Sequence, residues 1–350
     1  MKKPYMIAEM GVNFYDTAKA LGISALDAAK MYIDKAAEAG VDCAKFQSYK
    51  ASTIVSKNSP AYWDTTKEPT KTQYELFQKH DGFGEKEYKI LCDYTHEKGM
   101  DFTSTPFDYA SADYLYDMVD FYKISSSDLS NLPFVKYIGM KGKPVYISVG
   151  AAYLSEVDTA VRILKEAGCK DIVLLHCVLS YPTSPNNANL RVIETLKKVF
   201  TDVRVGFSDH VAPDESMMTL ATAYLLGAEV IKKHFTLDKK MKGPDHQASI
   251  TPEELKKLCQ KVREAEKMLG NEEKKVTDSE KKNIFIVRKS IVAKKQISKG
   301  ERFTEDNITC KRPGNGISPI HWYKVLGKEA ERDFVTDELI SCKGVMWEDE

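Results

Sequence analysis

The sequence predicts an α/β protein, a (β/α)8 TIM barrel followed by a small β-rich domain. Three observations lead to this fold class. Eight short β-type segments alternate with amphipathic segments, several of these β-type segments are apolar throughout, and no GxGxxG motif follows the first of them. Continuous apolar strands are typical of a parallel sheet that is covered on both faces, and the missing glycine motif argues against an open dinucleotide-binding sheet.

The order of the predicted elements follows this alternation. The eight predicted strands are residues 5–10, 42–47, 101–107, 120–125, 144–150, 171–177, 203–208 and 229–235. The clearest helical segments are residues 24–40, 84–99, 154–168, 184–200 and 251–270. The connection from residue 47 to about residue 84 is long and polar, and we expect it to cross the mouth of the barrel.

A change of composition after Gly270 predicts a domain boundary. Residues 271–283, NEEKKVTDSEKKN, read as a charged linker, and residues 284–350 contain short β-type runs with frequent turns. The expected organisation is a TIM-barrel catalytic domain over residues 1–270, a linker over 271–283 and a small domain over 284–350.

The composition excludes several classes of function. Lys plus Arg and Asp plus Glu both number 51, so no net charge points to nucleic acid or to an anionic membrane. No apolar run approaches the length of a membrane span, and the start of the sequence does not resemble a signal peptide. The seven cysteines are scattered and none forms a CxxC pair, which favours a reduced compartment. We therefore expect a cytoplasmic protein.

Polar side chains collect where the predicted strands end. In a TIM barrel the chemistry sits at the carboxyl ends of the strands, because the loops that follow them form one face. A serine or threonine at such a position also commonly caps the next helix, and His176 within LLHCV is typical of a core histidine. The polar residues at these ends include Glu9, Asn13, Lys45, Gln47, Ser104, Thr105, Lys123, Ser126, Ser148, Tyr181, Ser208, Asp209, His210 and His234.

Two lysines and two histidines stand out among these residues. Lys45 and Lys123 lie within apolar strands, and buried lysines require an anionic partner, so together with nearby hydroxyl groups they indicate a phosphate or carboxylate site. His210 and His234 end neighbouring predicted strands, where their imidazoles can converge on a divalent metal. The alternative is that each histidine separately orders a loop.

The motifs along the chain resemble those of a known family, the sialic acid synthases and their relatives that make legionaminic or pseudaminic acid. The motifs IAEMGVN, AKFQ, STPF, YKISSSD, LLHC…YPT, GFSDH, KKHFT, GPDHQAS and KRPGNGI occur in the family's order along nearly the whole chain. The resemblance implies condensation of phosphoenolpyruvate with N-acetylmannosamine or a related N-acylated hexosamine. It also implies an antifreeze-like domain over residues 284–350, a domain-swapped homodimer and a divalent metal, with Mn²⁺ preferred over Mg²⁺ or Co²⁺.

The resemblance also assigns roles to residues. His210 and His234 match metal ligands, Glu9 matches a catalytic carboxylate, and Arg312 matches an arginine that the partner subunit places over the N-acyl group. The matched phosphoenolpyruvate contacts are Lys45, Thr105, Lys123, Ser126, Ser148 and Ser208, and the matched sugar contacts are Gln47, Phe107, Tyr181 and Asp245. We add Asn13 to the substrate-binding candidates. Asp209, expected to orient Ser208 or His210, joins Glu9, Lys45 and Lys123 as a catalytic candidate.

Several positions depart from the family pattern and leave the hexosamine open. Phe14 and Tyr15 replace the usual His-Glu after Asn13, and Leu179 stands where an asparagine is usual. Asp128 and Val149 replace a glutamate and a threonine. Two alternative functions stay open: another phosphoenolpyruvate-dependent aldol synthase, and a non-catalytic polysaccharide-assembly protein on the same fold.

Overall fold

The structure is a computed structural model that describes residues 4–345 apart from 62, 64, 66–67, 214–215 and 242–244. The chain divides into two compact units, Met1–Gly270 and Asn271–Glu350. None of the helices in the described ranges combines the length and the apolar character needed to cross a membrane.

The first unit contains a closed ring of eight strands. The strands are β1 (Tyr5–Gly11), β2 (Cys43–Ser48), β3 (Asp101–Pro106), β4 (Tyr122–Ile124), β5 (Val145–Ser148), β6 (Ile172–His176), β7 (Arg204–Asp209) and β8 (Val230–His234). They are parallel and pair in the order β3-β2-β1-β8-β7-β6-β5-β4. Between β3 and β4 the Asp120 amide donates to the Phe102 carbonyl at 3.1 Å. The predicted TIM barrel is confirmed.

Helices follow the strands and cover the outside of the ring. Those of the first unit are α1 (Asn13–Leu21), α2 (Ala25–Ala39), α3 (Ala51–Ile54), α4 (Gln73–Gln78), α5 (Glu85–Glu97), α6 (Tyr109–Tyr114), α7 (Leu132–Gly139), α8 (Leu154–Glu166), α9 (Val192–Val199), α10 (Met218–Leu225) and α11 (Pro252–Leu269). The last begins as predicted, because Thr251 accepts the Glu254 amide and Glu254 accepts the Thr251 amide in a capping box.

The predicted helix over residues 184–200 is wrong in its first half. A 3-10 turn spans Pro185–Asn187, and the α-helix begins at Val192. Asn189 lies between them with φ 45°, in the left-handed region that breaks a right-handed helix and that asparagine tolerates better than most residues. Apolar periodicity alone did not reveal this break.

Alternation along the strands separates the barrel floor from the polar end of the lumen. One layer of inward-facing side chains forms an apolar cluster of Ile7, Cys43, Phe121, Tyr146, Val173, Leu175 and Val230. Successive side chains of a strand point to opposite faces, so the next inward residue lies two positions further along. Those next residues include Glu9, Lys45, Lys123, Ser148 and Lys232, and all are buried. The polar layer therefore rests directly on the apolar floor.

The second unit is a small β-rich fold with its own core. The antiparallel strands β9 (Ser290–Ala293) and β10 (Ile308–Lys311) are its paired strands, and α12 (Asp278–Lys281), α13 (Ile284–Val287) and α14 (Trp322–Val325) are its short helices. Its buried core includes Ile291, Ile297, Phe303, Ile308, Val325, Phe334 and Ile340. The prediction of a small β-rich fold after the barrel is confirmed.

Gly206 provides a test of the barrel floor. A Cβ atom at this position would lie 2.6 Å from the Val230 carbonyl oxygen and 2.7 Å from Leu175 Cδ2, so strands β6 and β8 would have to move. We expect Gly206→Ala to lower the free energy of unfolding by about 1–3 kcal/mol, the usual cost of overpacking. Urea unfolding measures this change. At Gly82, where an added Cβ meets Tyr15 only at 3.5 Å or beyond, the same substitution is the control, and equal losses at both positions would contradict the prediction.

Candidate active site

Glu9 and two lysines form the centre of the polar layer. Lys45 Nζ donates to Glu9 Oε2, and Lys232 Nζ lies 3.5 Å from the same oxygen. The other carboxylate oxygen accepts the Gly11 amide at 3.0 Å. Gly11 has φ +52°, a conformation that favours glycine, and it turns the chain at the end of β1 so that its amide reaches back to Glu9. One carboxylate thus lies between two ammonium groups in the lumen.

The charges of this group shift one another's pKa values. Burial alone would raise the pKa of Glu9, but Lys45 and Lys232 outweigh it and hold that pKa below its ordinary value. Burial lowers the pKa of Lys45, and Glu9 opposes this shift. Burial, followed by repulsion from Lys45 and Lys232, lowers the pKa of Lys123 well below its ordinary value. Glu9 is therefore ionised at neutral pH, and at Lys123 the repulsion from the neighbouring lysines outweighs the attraction of Glu9.

Hydroxyl groups surround the Lys123 side of the lumen. Lys123 Nζ donates to the Ile124 carbonyl at 2.6 Å. Ser126 Oγ accepts the Gly150 amide at 3.0 Å and lies 3.1 Å from Cys177 Sγ. Ser148, at the end of β5, is buried and belongs to the same inward-facing layer. A lysine beside hydroxyl donors is an arrangement that binds oxyanions.

His210 and His234 face one another at the ends of β7 and β8. Their ring centroids are 5.4 Å apart, and Tyr181 stacks obliquely on His210 with its hydroxyl 3.2 Å from Nε2. His210 Nδ1 lies 2.7 Å from the Val178 carbonyl, which can only accept, so Nδ1 carries the proton and Nε2 keeps its lone pair. Burial, followed by the charge of Lys232, lowers the pKa of both histidines well below the ordinary value.

The two neutral imidazoles fit a divalent transition metal as part of its ligand set. His234 Nδ1 is buried and has no hydrogen-bond partner in the described part of the chain, and it lies 3.6 Å from Asp245 Oδ2. An orphaned buried nitrogen on His234, facing a His210 ring whose Nε2 has its lone pair occupied, among the described residues, only by the Tyr181 hydroxyl, fits metal ligation. Within the described ranges, no group of three or more His, Cys, Asp or Glu residues is arranged to hold a metal, so substrate or water would complete the shell.

Most of the predicted site residues lie around this lumen. Thr105 and Gln47 are register partners on β3 and β2, and Phe107 follows β3 with its ring against Tyr49. Ser208 is buried on β7 as the register partner of Lys232. Asp245 is held beside His234, and burial raises its pKa. The preceding motif residues Gly243 and Pro244 lie outside the described residues.

Asp209 and Asn13 make hydrogen bonds and ion pairs that differ from the predicted contacts. Asp209 accepts the Val211 amide at 2.8 Å and pairs with Lys233 Nζ at 2.7 Å, on the opposite face of β7 and β8 from Ser208 and His210. The expectation that its carboxylate orients Ser208 or His210 is not met, because alternation along the strand turns it outward. Asn13 Nδ2 donates to the Phe235 carbonyl at 3.0 Å and to Ser249 Oγ at 3.3 Å, so it joins the ends of β1 and β8.

The departures at Phe14 and Tyr15 pack into the protein. Phe14 is fully buried and stacks on Phe83 with ring centroids 5.0 Å apart. The Tyr15 hydroxyl accepts the Phe83 amide at 2.9 Å. Both aromatic residues therefore anchor the end of the long connection to the first helix. Leu179, by contrast, is 42% exposed, and its Cγ would lie 3.1 Å from a Cβ at Gly150, beside Ser126.

Asp16 joins two histidines beside this aromatic packing. Its carboxylate lies 3.3 Å from His246 Nε2 and 3.6 Å from His80 Nε2. Thr236 Oγ1 lies 2.7 Å from His246 Nδ1. The sequence pattern does not predict this group, because its members are far apart along the chain and only the fold brings them together.

Lys232 and Lys233 were not among the predicted site residues. Both are buried in β8, Lys232 against Glu9 and Lys233 against Asp209. The signal was present, because two consecutive lysines in EVIKKHF violate the apolar pattern of a barrel strand as clearly as Lys45 and Lys123 do. Arg312 is exposed and belongs to the second unit.

Comparison with protein families identifies this arrangement. Residues 32–274 match the NeuB family, and residues 288–346 match the SAF domain. The chain belongs to the NeuB family. The NeuB match contains strands β2 to β8 with both histidines and both predicted lysines, and the SAF match falls within the second unit.

Relatives of this NeuB family member support the resemblance read from its motifs. An N,N'-diacetyllegionaminic acid synthase of Campylobacter jejuni is 42% identical over 97% of this chain and 99% of its own length. The human N-acetylneuraminate-9-phosphate synthase is 32% identical over 96% of this chain and 92% of its own. The crystal structure of a Leptospira borgpetersenii N-acetylneuraminic acid synthetase with citrate, 32% identical, matches with TM-score 0.68 over 81% of this chain and 90% of that one. The predicted family is confirmed.

The Asp16 cluster predicts an acid-labile part of the stability. Burial alone would raise the pKa of Asp16, but hydrogen bonds from His246 and His80 lower it from 3.8 to about 2. A carboxyl group with a depressed folded-state pKa stabilises the fold above its ordinary pKa, and this contribution is lost as the pH falls toward the folded-state value. We expect Asp16→Asn to remove about 2 kcal/mol at neutral pH and to flatten the decline between about pH 4 and pH 2.

Urea unfolding followed from pH 6 to pH 2 tests this expectation. Asp158→Asn is the matched control, because Asp158 is an exposed carboxylate on α8 that pairs with Arg162. The control variant should decline with pH as the unaltered protein does. An Asp16→Asn profile parallel to that of the unaltered protein would show that the cluster contributes no acid-labile stability.

Proposed function

We propose that this protein condenses phosphoenolpyruvate with an N-acylated hexosamine to give a nine-carbon 2-keto acid and phosphate. The observation that carries the proposal is the buried layer in which Glu9, Lys45 and Lys123 lie beside the facing imidazoles of His210 and His234. It combines lysines suited to binding an anion with imidazoles suited to binding a metal in one lumen. Membership of the NeuB family supports the same reaction.

The lysines bind and activate the anionic substrate. Lys45 and Lys123, with the hydroxyls of Thr105, Ser126, Ser148 and Ser208, hold the carboxylate and phosphate groups of phosphoenolpyruvate. C3 of the enol then attacks the aldehyde carbon of the open-chain sugar and forms the new C–C bond. Water adds to C2, and the C2–O bond to phosphate breaks. Buried ammonium groups stabilise phosphate as it leaves with the bonding electrons.

Glu9 and the histidines have separate roles. Because its pKa is held low, Glu9 acts in its ionised form, orienting a sugar hydroxyl or accepting the proton of the attacking water. A divalent metal, Mn²⁺ rather than Mg²⁺ or Co²⁺, would be held by His210 and His234 and would supply Lewis-acid polarisation of the sugar aldehyde. Gln47, Phe107, Tyr181 and Asp245 line the place of the sugar. Asn13, whose amide already bonds within the protein, supports this site through the loop after β8.

The reaction is tested by phosphate release. We expect phosphate to be released from phosphoenolpyruvate only when a hexosamine is present. Chelation of the metal should stop this release, and added Mn²⁺ should restore it. The panel compares hexosamines with one and two N-acetyl groups, because the names of the relatives differ in this respect, and includes a phosphorylated aldose for the alternative aldol synthase. His234→Ala should bind Mn²⁺ at least about 10–100-fold more weakly by calorimetry.

A second histidine provides the control for this experiment. His176 lies on the outward side of β6 and its Nε2 bonds to the Ala188 carbonyl at 2.8 Å. His176→Gln should bind Mn²⁺ as the unaltered protein does. Full turnover after exhaustive chelation would exclude the metal, and the absence of phosphate release with every sugar would exclude the synthase and favour a non-catalytic role in polysaccharide assembly.

We further propose a domain-swapped homodimer in which Arg312 of one subunit completes the sugar site of the other. An arginine fork suits the carbonyl of an N-acyl group, and Arg312 is exposed at the end of β10. We also propose a cytoplasmic location, because all seven cysteines are free thiols. We infer no nucleic-acid or membrane partner, because Lys plus Arg and Asp plus Glu both number 51.

Subunit exchange tests this dimer. Each of two variants should be inactive alone. Arg312→Ala should lose binding of the hexosamine, and Lys123→Met should lose binding of phosphoenolpyruvate. In a mixed dimer with swapped domains, one site collects both lesions and the other collects neither, so activity should reappear at up to about half of the unaltered level per mixed dimer. A mixture that stays inactive after exchange is verified would rule out the swap.

A further inference from the structure

Lys232 is a buried lysine that the reaction described above does not use. Its side chain is 5% exposed, and its Nζ lies 3.5 Å from Glu9 Oε2. Two positions earlier on β8, Val230 belongs to the barrel floor, and two positions later, His234 faces His210. Alternation along the strand therefore places Lys232 on the lumen face, between the floor and the paired imidazoles.

The described lumen carries an excess of positive charge around Lys232. Lys45 forms a hydrogen-bonded pair with Glu9, and Lys233 forms a pair with Asp209 outside the lumen, so each of these pairs is neutral. Lys232 approaches a carboxylate that Lys45 already neutralises, and Lys123 donates to a backbone carbonyl. Asp245 lies near Lys232 and Asp128 near Lys123, but burial raises the pKa of both carboxyl groups, which disfavours their charged form. The two lysines therefore carry more positive charge than Glu9 can cancel, and in a medium of low dielectric constant a bound dianion would remove their repulsion.

The hydroxyl groups are distributed to match such a dianion. Ser208 on β7 is the register partner of Lys232, and both are buried. On the other side of the lumen, Ser126 and Ser148 accompany Lys123. Burial and Lys45 make the largest contributions to lowering the pKa of Lys123, and Lys232 adds to them, so the two lysines are within electrostatic range of each other. Two cations with hydroxyl donors on both sides suit a phosphate dianion, because a carboxylate would balance only one of them.

We propose that Lys232 is a further substrate-binding residue, which binds the phosphate group of phosphoenolpyruvate together with Lys123. The inference rests on the proposed function, since that function supplies the substrate. In this arrangement the Lys45–Glu9 pair stays available to the reacting three-carbon unit, and the two remaining lysines neutralise the phosphate both when it is bound and when it leaves.

The competing explanation is that Lys232 only neutralises Glu9. A double-mutant cycle separates the two explanations, because it shows whether the effect of one residue depends on the other. The cycle compares K232M, E9Q and the double variant with the unaltered full-length protein. Calorimetry measures the dissociation constants of inorganic phosphate and of phosphoenolpyruvate, and neither measurement requires turnover.

We expect K232M to weaken the binding of both anions about 10- to 100-fold, the usual loss of affinity when a hydrogen bond to a charged group is removed. The loss should be as large in the E9Q background as in the unaltered one, and K232R, which keeps the charge, should recover most of the affinity. A loss that vanishes in the E9Q background, or unaltered phosphate affinity in K232M, would overturn the inference.

Lys233 provides the matched control on the neighbouring position of the same strand. K233M removes an equally buried lysine that points away from the lumen, so it should lower the melting temperature by leaving Asp209 unpaired but change phosphate affinity less than about threefold. If K232M does not fold, K232Q replaces it in the cycle. The proposed function is tested by a different result, since it fails if the unaltered protein releases no phosphate from phosphoenolpyruvate with any hexosamine. The binding cycle does not require turnover and therefore decides the role of Lys232 independently.

Discussion

The ion pair between Glu9 and Lys45 in the barrel lumen is the interaction on which the rest of the site depends. A carboxylate buried this deeply is stable only beside a positive charge, and a lysine buried this deeply is stable only beside a negative one. The pair gives the lumen one neutral centre. Around it Lys123 and Lys232 add positive charge beyond what the Glu9–Lys45 pair cancels, and the proposed phosphate dianion would balance this charge.

The barrel manages these charges through the alternation of its strands. Inward positions first build an apolar floor and then, two residues later, the polar layer, so the chemistry lies on a packed and rigid base. Outward positions carry a second buried pair, Asp209 with Lys233, which stabilises β7 and β8 from behind. The same alternation therefore decides which lysine of β8 can reach a substrate and which one only supports the wall.

The first loop illustrates how substitutions can leave a site intact. Phe14 and Tyr15 pack against Phe83 at the end of the long connection after β2, while Asp16 binds His80 and His246. These contacts hold the connection and the segment after β8 against the first helix. The altered residues pack at the rim of the barrel, and their side chains take no part in the hydrogen bonds and ion pairs described for Glu9.

Much of this protein could be predicted from its sequence, because its signals are local. Apolar segments alternating with helical ones determined the eight strands within a few residues, and lysines inside apolar strands marked Lys45 and Lys123 as buried candidates for an anion site. Which face a side chain takes is a property of register and twist across the closed barrel, which no local pattern reveals. Only the tertiary structure therefore turned Asp209 away from the lumen, placed Asn13 between two loops and put Lys232 beside Glu9. It also joined Asp16 to His246, because only ring closure brings the ends of β1 and β8 together, and to His80, because the long connection after β2 packs against the first helix.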